Sequence, residues 1–194
     1  MARRSAGGGT RAAETLLSAG VEFEVLSYDP VAILGLATKR RERDQAGANA
    51  GSLAGEGFPA DSGDADTLGE RAALALGLDP SAVFKTLVVQ ADDHLVVAVV
   101  PVDRHLDLKA LAGAAGVKRT AMATRDVAER STGYVTGGIS PLGQRKTLPT
   151  YIDSSAQDLD VITVNAGQRG LMIQIAPEDL RRESNAEWAS IARD

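Results

Sequence analysis

There is no cysteine among the 194 residues of this chain. That excludes a disulfide framework, a thiolate nucleophile and a cysteine-ligated metal. Histidine is scarce as well: His94 and His105 are the only two, too few for a histidine-rich zinc site. Aromatic residues make up 4% of the chain, so the stacking platforms of single-strand nucleic-acid binders are poorly supplied. The net charge of −5 argues against a general nucleic-acid coat protein but leaves room for a local basic patch. No apolar run approaches the roughly 20 residues of a membrane span. The opening MARRSAGGGT carries charge without an apolar stretch, so it does not read as a signal peptide. These absences describe a soluble cytoplasmic protein with no cofactor and no metal.

What is present fits one folded domain. Hydrophobic residues reach 44%, an ordinary share for a globular chain long enough to bury a substantial core. Residues 1–9 form a Gly-rich basic lead, expected to be flexible. Thr10 is suited to cap a helix carrying Ala13, Leu16 and Leu17 on one face, with Gly20 as its stop. Val21, Phe23 and Val25 alternate with Glu22 and Glu24, which predicts a half-buried strand running to Tyr28. From 35 to 66 the periodicity vanishes. That span holds the cluster Lys39-Arg40-Arg41-Glu42-Arg43-Asp44 and then Ala, Gly and Ser, which reads as a flexible insertion.

Regular patterns resume at Leu68. A helix over 67–76 is followed by Asp79-Pro80, an N-cap with proline in the first turn. Strands are predicted over 86–90, 95–100, 118–122, 150–153, 161–165 and 171–176. Helices are predicted over 106–115 and from Thr124 to 130, with a short one opening at Pro177 and a C-terminal one over 184–194 marked by Trp188 and Ile191. Hairpins mixed with single helices predict an α/β (α+β) fold with a mixed sheet and helices packed around it.

The most distinctive stretch is residues 131–153, STGYVTGGISPLGQRKTLPTYID. Five glycines and prolines fall between Gly137 and Pro149, beside Ser140, Gln144, Arg145, Lys146 and Asp153. Glycine lets a backbone approach a ligand closely, and proline stiffens a loop. A long loop inside a compact chain is usually functional or disordered, and the Tyr-Ile-Asp at its end, which reads as a strand edge, favours function. Lys85 stands at the mouth of an apolar strand, where a lysine either snorkels to solvent or serves a purpose that offsets its burial. Ser140 lies in no nucleophile-elbow motif, and no histidine is spaced to activate it, so a serine triad is not expected. Asp153 is, by position alone, equally a turn-forming aspartate.

This stretch resembles the signature of the YbaK/prolyl-tRNA synthetase-associated editing domains. Val83-Phe84-Lys85-Thr86-Leu87 looks like the family's lysine motif. Leu106-Asp107-Leu108-Lys109, Gly133-Tyr134 and Gly167-Gln168-Arg169-Gly170-Leu171 are similar to further family blocks, in the expected order. The likeness covers roughly 10–28 and 68–180, is closest to the free-standing deacylases of Cys-tRNA(Pro) and Cys-tRNA(Cys), and departs from the family between those blocks.

The resemblance implies a curved, barrel-like mixed sheet and one editing domain over 10–183. It implies a catalytic set of Lys85, Gly137 and Gly138, with Lys85 polarising an ester carbonyl and the glycine backbone facing the oxyanion. It implies Tyr28, Ser140 and Asp153 as substrate-binding residues. Arg145, Lys146 and Arg169 are the best candidates for tRNA phosphate contacts. The implied reaction is removal of cysteine from Cys-tRNA(Pro) by attack of the substrate's own thiol, with transient association with prolyl-tRNA synthetase. Two other readings remain open. One is a related hydrolase that clears another small amino acid, such as alanine, using water. The other is a non-catalytic module that binds tRNA or a synthetase.

Overall fold

The computed structural model describes residues 3–5, 9–33 and 62–194. The chain starts with strand β1 (Arg3–Ser5), helix α1 (Arg11–Ala19) and strand β2 (Glu24–Ser27). The Thr10 hydroxyl caps α1 by accepting the Ala13 N–H at 3.3 Å, and Gly20 ends it at φ 67°. Helix α2 (Ser62–Leu76) leads to a 3-10 turn, Pro80–Ala82, started by the Asp79 carboxylate accepting the Ser81 N–H. Strands β3 (Phe84–Ala91), β4 (His94–Pro101) and β5 (His105–Leu106) follow. Next come α3 (Leu108–Ala114), β6 (Thr120–Met122) and α4 (Arg125–Thr132). Beyond the glycine-rich loop lie β7 (Thr150–Asp153), β8 (Ile162–Asn165), β9 (Leu171–Ile175), α5 (Pro177–Glu183), β10 (Ala186–Ala189) and β11 (Ala192–Arg193).

These strands form a four-stranded sheet in the order β1-β2-β9-β8 and a five-stranded sheet in the order β10-β7-β4-β3-β6. The second is mixed: β7 runs parallel to β4 and to β10, while β3 is antiparallel to β4 and β6. Strand β4 contains the run LVVAVV because both of its faces are covered. Val97 and Val99 point into a core shared with Val25, Ile162, Val164, Ile173 and Ile175 of the other sheet, closed by Leu16 and Leu180. Val96, Ala98 and Val100 point the other way, against Leu111 of α3 and Ile191. Each fully buried valine contributes roughly 1.5–3 kcal/mol. Among the described residues no helix is long and apolar enough to cross a membrane.

The chain is thus a mixed α/β fold with helices around multi-stranded sheets. Among the described residues no sheet closes on itself; a single parallel bridge, Val83 to Thr163, links the two large sheets. Other differences from expectation are local. Arg3–Ser5, in the lead expected to be flexible, pairs antiparallel with Ser27–Val25 and saturates an otherwise open edge. The helix before Leu76 begins at Ser62, so the last residues assigned to the insertion are helical. The rest of that insertion, with the Lys39–Arg43 cluster, lies outside the described residues.

The expected C-terminal helix over 184–194 is replaced by β10 and β11. Asn185, at φ 50°, ends the turn after α5, and β10 then adds in parallel to the edge of β7. Two apolar residues three apart, Trp188 and Ile191, are too short a signal to separate a helix from a strand. The returning tail is held by the buried Asp153 carboxylate, 4% exposed. One oxygen accepts the Ile191 and Ala192 N–H groups at 2.9 and 2.7 Å; the other accepts the Ser155 N–H and hydroxyl at 3.1 and 2.6 Å. Asp153→Ala leaves three backbone donors without this acceptor. The expected result is a loss of about 3 kcal/mol or more in a urea unfolding titration. Ser155→Ala, which removes one hydroxyl donor, is expected to cost about 1 kcal/mol.

Candidate active site

The glycine-rich loop between α4 and β7 has almost no regular structure, yet many of its polar groups are bonded internally. Tyr134 acts as its central post. The buried phenol donates to the carbonyls of Leu142 at 2.7 Å and Gly143 at 3.1 Å. Arg11 of α1 lies 4.4 Å from the Tyr134 ring centroid and donates to the carbonyls of Thr132 and Gly133. Arg145 and Lys146 return their N–H groups to the carbonyls of Thr132 and Ser131. Gly143 is required by contact: a Cβ there would lie 2.7 Å from the backbone carbonyl of Arg11. The loop's inner side, Tyr134 and Ile139, packs against Val88 of β3 and Ala128 of α4.

Between this loop, β3 and α2 lies a cavity of about 210 Å³. Its walls are largely apolar, with Leu87, Val88, Met122 and Ile139 among them. The polar residues reaching it are Tyr28, Lys85, Thr86, Arg125, Thr136, Asn165 and Arg169. Lys85 is the second residue of β3, opposite Val100, and is 6% exposed. The Thr86 hydroxyl is buried beside it and has no hydrogen-bond partner. Burial pushes the Tyr28 phenol above its ordinary range, opposed by the Gly170 N–H and the Arg169 guanidinium, so the phenol stays protonated as a potential donor.

Four of the expected site residues therefore converge on one cavity: Tyr28, Lys85, Gly137 and Arg169. Gly137 takes φ 84°, and among the described residues its N–H has no acceptor. Gly138 does not line the cavity. Its N–H is used within a turn, donating to the Val135 carbonyl at 3.0 Å, and its missing side chain makes room for the 168–169 backbone. Ser140 is fully buried away from the cavity, where its hydroxyl accepts the Leu142 N–H at 3.3 Å. Asp153 is likewise outside the cavity, with both carboxylate oxygens occupied by the tail and the Ser155 turn. Arg145 and Lys146 are exposed on the outer side of the loop, while Arg169 turns inward, its Nε 2.8 Å from the Thr136 carbonyl.

Sequence reasoning missed Thr86, Arg125, Thr136 and Asn165. Thr86 follows Lys85 directly, and the quoted lysine motif already contained it. Nothing in the local sequence marks Arg125, in the first turn of α4, or Asn165, at the end of β8. Glu129, one turn beyond Arg125, was also overlooked. Its carboxylate accepts the Thr136 N–H at 2.8 Å and the Arg125 Nε at 3.0 Å. The Thr136 N–H, and then Arg125, hold its carboxyl below the usual range. It is therefore ionised at neutral pH, and the bond is lost only as pH falls through that lowered value.

The family profile of an aminoacyl-tRNA editing domain matches residues 63–183, which include α2, β3, the loop and the cavity walls other than Tyr28. The chain belongs to that family. It is 42% identical over 123 residues to a protein of Enterococcus faecalis named "Putative Cys-tRNA(Pro)/Cys-tRNA(Cys) deacylase EbsC", covering 63% of this chain and 75% of that one. It is 33% identical over 102 residues to the Proline--tRNA ligase of Shouchella clausii, covering 52% of this chain and 18% of that protein. A crystal structure described as a putative trans-editing enzyme for prolyl tRNA synthetase superposes with a TM-score of 0.61. It is 23% identical and covers 65% of this chain and 80% of that one, a likeness of fold.

For this editing domain, Gly138 offers a direct check on the loop's packing. A Cβ at Gly138 would lie 2.9 Å from the Arg169 backbone nitrogen and 3.0 Å from the Gln168 carbonyl carbon. Neither is a flexible side-chain end. Gly138→Ala is expected to destabilise the domain by about 1–3 kcal/mol, read as a lowered denaturation midpoint. Gly77→Ala, whose Cβ would meet nothing within 4 Å, is strained only by its φ of 69° and should cost about 1 kcal/mol.

Proposed function

We propose that this chain is a trans-editing deacylase that removes cysteine from mischarged Cys-tRNA(Pro). The observation that carries the reading is the convergence of the buried Lys85 with the half-buried Tyr28 and the more exposed Gly137 on one small cavity within a tRNA-editing domain. The identity to the Enterococcus protein supports the class of substrate. A cavity of about 210 Å³ suits a small aminoacyl group better than a bulky one.

The proposed mechanism is consistent with what the chain lacks. It has no cysteine, and no histidine lines the cavity to activate a hydroxyl. The nucleophile we propose, as the family resemblance implies, is the substrate's own thiol. Its sulfur attacks the ester carbonyl carbon, and an S–C bond forms. The C–O bond to the ribose breaks, giving a cyclic thiolactone. The thiol proton ends on the ribose oxygen. Held in near-attack geometry, such an intramolecular step gains about 7–11 kcal/mol over separated reactants. In this scheme Lys85 stabilises the developing negative charge, and the Gly137 N–H is the backbone donor beside it. Tyr28 donates from its protonated phenol to the aminoacyl or ribose oxygens. Arg145 and Lys146, exposed near the loop, are assigned to tRNA phosphates.

A net charge of −5 leaves the chain little general affinity for tRNA. We infer that a transient complex with prolyl-tRNA synthetase supplies tRNA selection, consistent with the likeness to part of a Proline--tRNA ligase. We also infer that the two sheets bridged at Val83 and Thr163 are halves of the barrel-like sheet the family resemblance implies.

A deacylation panel with Cys-, Ala-, Ser- and Pro-charged tRNA tests the proposal. Cys-tRNA should be cleaved far faster than Ser-tRNA, because a partly ionised thiol is a much better nucleophile than a hydroxyl at neutral pH. S-methylation of the substrate should nearly stop the reaction, and a thiolactone or its trapped derivative should precede free cysteine. Efficient cleavage of the S-methylated substrate would reject thiol assistance and favour the hydrolase. Lys85→Ala is expected to reduce kcat by about 10²–10³ while circular dichroism shows an intact fold. Near-normal turnover of that variant would remove Lys85 from the mechanism.

A further inference from the structure

Residues 135–138 form a tight turn closed by the Gly138 N–H donating to the Val135 carbonyl at 3.0 Å. Gly137, in its third position, has φ 84°. That matches a type II turn, whose third residue sits near +80°, and not type I, which needs about −90° there. The two types interconvert by rotating the central peptide, here Thr136–Gly137. A trans peptide carries its C=O and N–H on opposite edges of one plane. Rotation would therefore reverse the Gly137 N–H, and glycine offers little steric resistance to it.

Two side chains hold this turn. The Arg169 Nε–H donates to the Thr136 carbonyl at 2.8 Å, a bond that exists in only one orientation of the central peptide. The Glu129 carboxylate accepts the Thr136 N–H at 2.8 Å and is itself fixed by the Arg125 Nε at 3.0 Å. The backbone on both sides of Thr136 is thus tied to charged groups, one from the 166–170 turn and one from α4. Both bonds are charge-assisted and stronger than neutral ones. Glu129 does not line the cavity; Gly137 does.

We propose that Arg169 and Glu129 are positioning residues that lock the 135–138 turn in its type II form and thereby aim the Gly137 N–H for the reaction. This rests on the deacylase reading above. It reassigns Arg169 from a tRNA phosphate contact to an internal clamp. The same bond accounts for the inward course of this cationic side chain.

The test uses the full chain with Glu129→Ala, Glu129→Gln and Arg169→Met, read in two ways. The first is steady-state deacylation of Cys-tRNA(Pro). The second is nuclear magnetic resonance of the turn: the strong Thr136 Hα to Gly137 HN Overhauser effect that marks type II, and the exchange rate of the Thr136 amide. Arg169→Met should weaken the Overhauser effect and lower kcat by about 10²-fold. Glu129→Ala should accelerate Thr136 amide exchange at least about tenfold and lower kcat about tenfold or more with KM within about twofold. Glu129→Gln keeps an acceptor oxygen and should recover most of both.

An unchanged Overhauser effect in Arg169→Met, or unchanged kcat in both Glu129→Ala and Arg169→Met, overturns the proposal. If the wild-type chain cleaves no charged tRNA, the deacylase reading fails. The spectra still decide the clamp: a lost Overhauser effect upholds it as a lock on the turn and overturns its catalytic use, and a retained one overturns it entirely.

Discussion

Everything in this domain hangs on the pairing of β3 with β4. Eight residue pairs, from Phe84–Pro101 to Ala91–His94, form an antiparallel ladder at the centre of the five-stranded sheet. Because β4 is apolar on both faces, the ladder is buried on both sides. A one-residue slip would turn every side chain to the opposite face, so the register is strongly specified. That register puts Lys85 opposite Val100, inside the molecule rather than at a wet strand end. A buried lysine is costly unless its charge is paired or used, and this one lines the cavity.

The glycine-rich loop is the second element of the site and depends on the first. It packs through Tyr134 and Ile139 onto Val88 of β3, so the hairpin that buries Lys85 also sets the height of the loop above it. The loop's rigidity comes from the Tyr134 phenol, which gathers the carbonyls of Leu142 and Gly143, and from Arg11 reaching across from α1. Its glycines divide the work. Gly143 and Gly138 are empty spaces for neighbouring backbone, and Gly137 supplies a positive φ at the cavity wall. A Gly-Gly pair that reads as one feature is thus two, with one N–H used inside a turn and the other left beside the cavity.

Local signals served the sequence reading well where they were strong. Thr10 and Gly20 bracket α1, and Asp79 starts the turn before β3. The apolar runs of β3 and β4 and the Asp92-Asp93 turn between them read directly as a hairpin. The reading failed where the outcome depended on a partner far away in the chain. Residues 186–193 carry no strand pattern of their own; they are strands because β7 and β5 offer edges and Asp153 offers a buried carboxylate. Asp153 itself was legible as a residue with a task, but the task was set by a tail 38 residues away.

The sequence alone determined the hairpin that carries Lys85 and the loop that faces it, because apolar runs and glycine-proline punctuation act over a few neighbouring residues; the family was legible in it through the resemblance of its motifs. It also determined that no protein thiol takes part. Tertiary structure alone decided which polar residues share the cavity. Tyr28, Lys85, Gly137 and Arg169 are brought together by three separate connections: β2 to β9, the bridge from Val83 to β8, and the loop on β3. It also decided that Ser140 and Asp153 are internal supports and that Arg169 faces inward. Those outcomes depend on which acceptor or space lies opposite each side chain after the sheets pack, and no spacing along the chain encodes that.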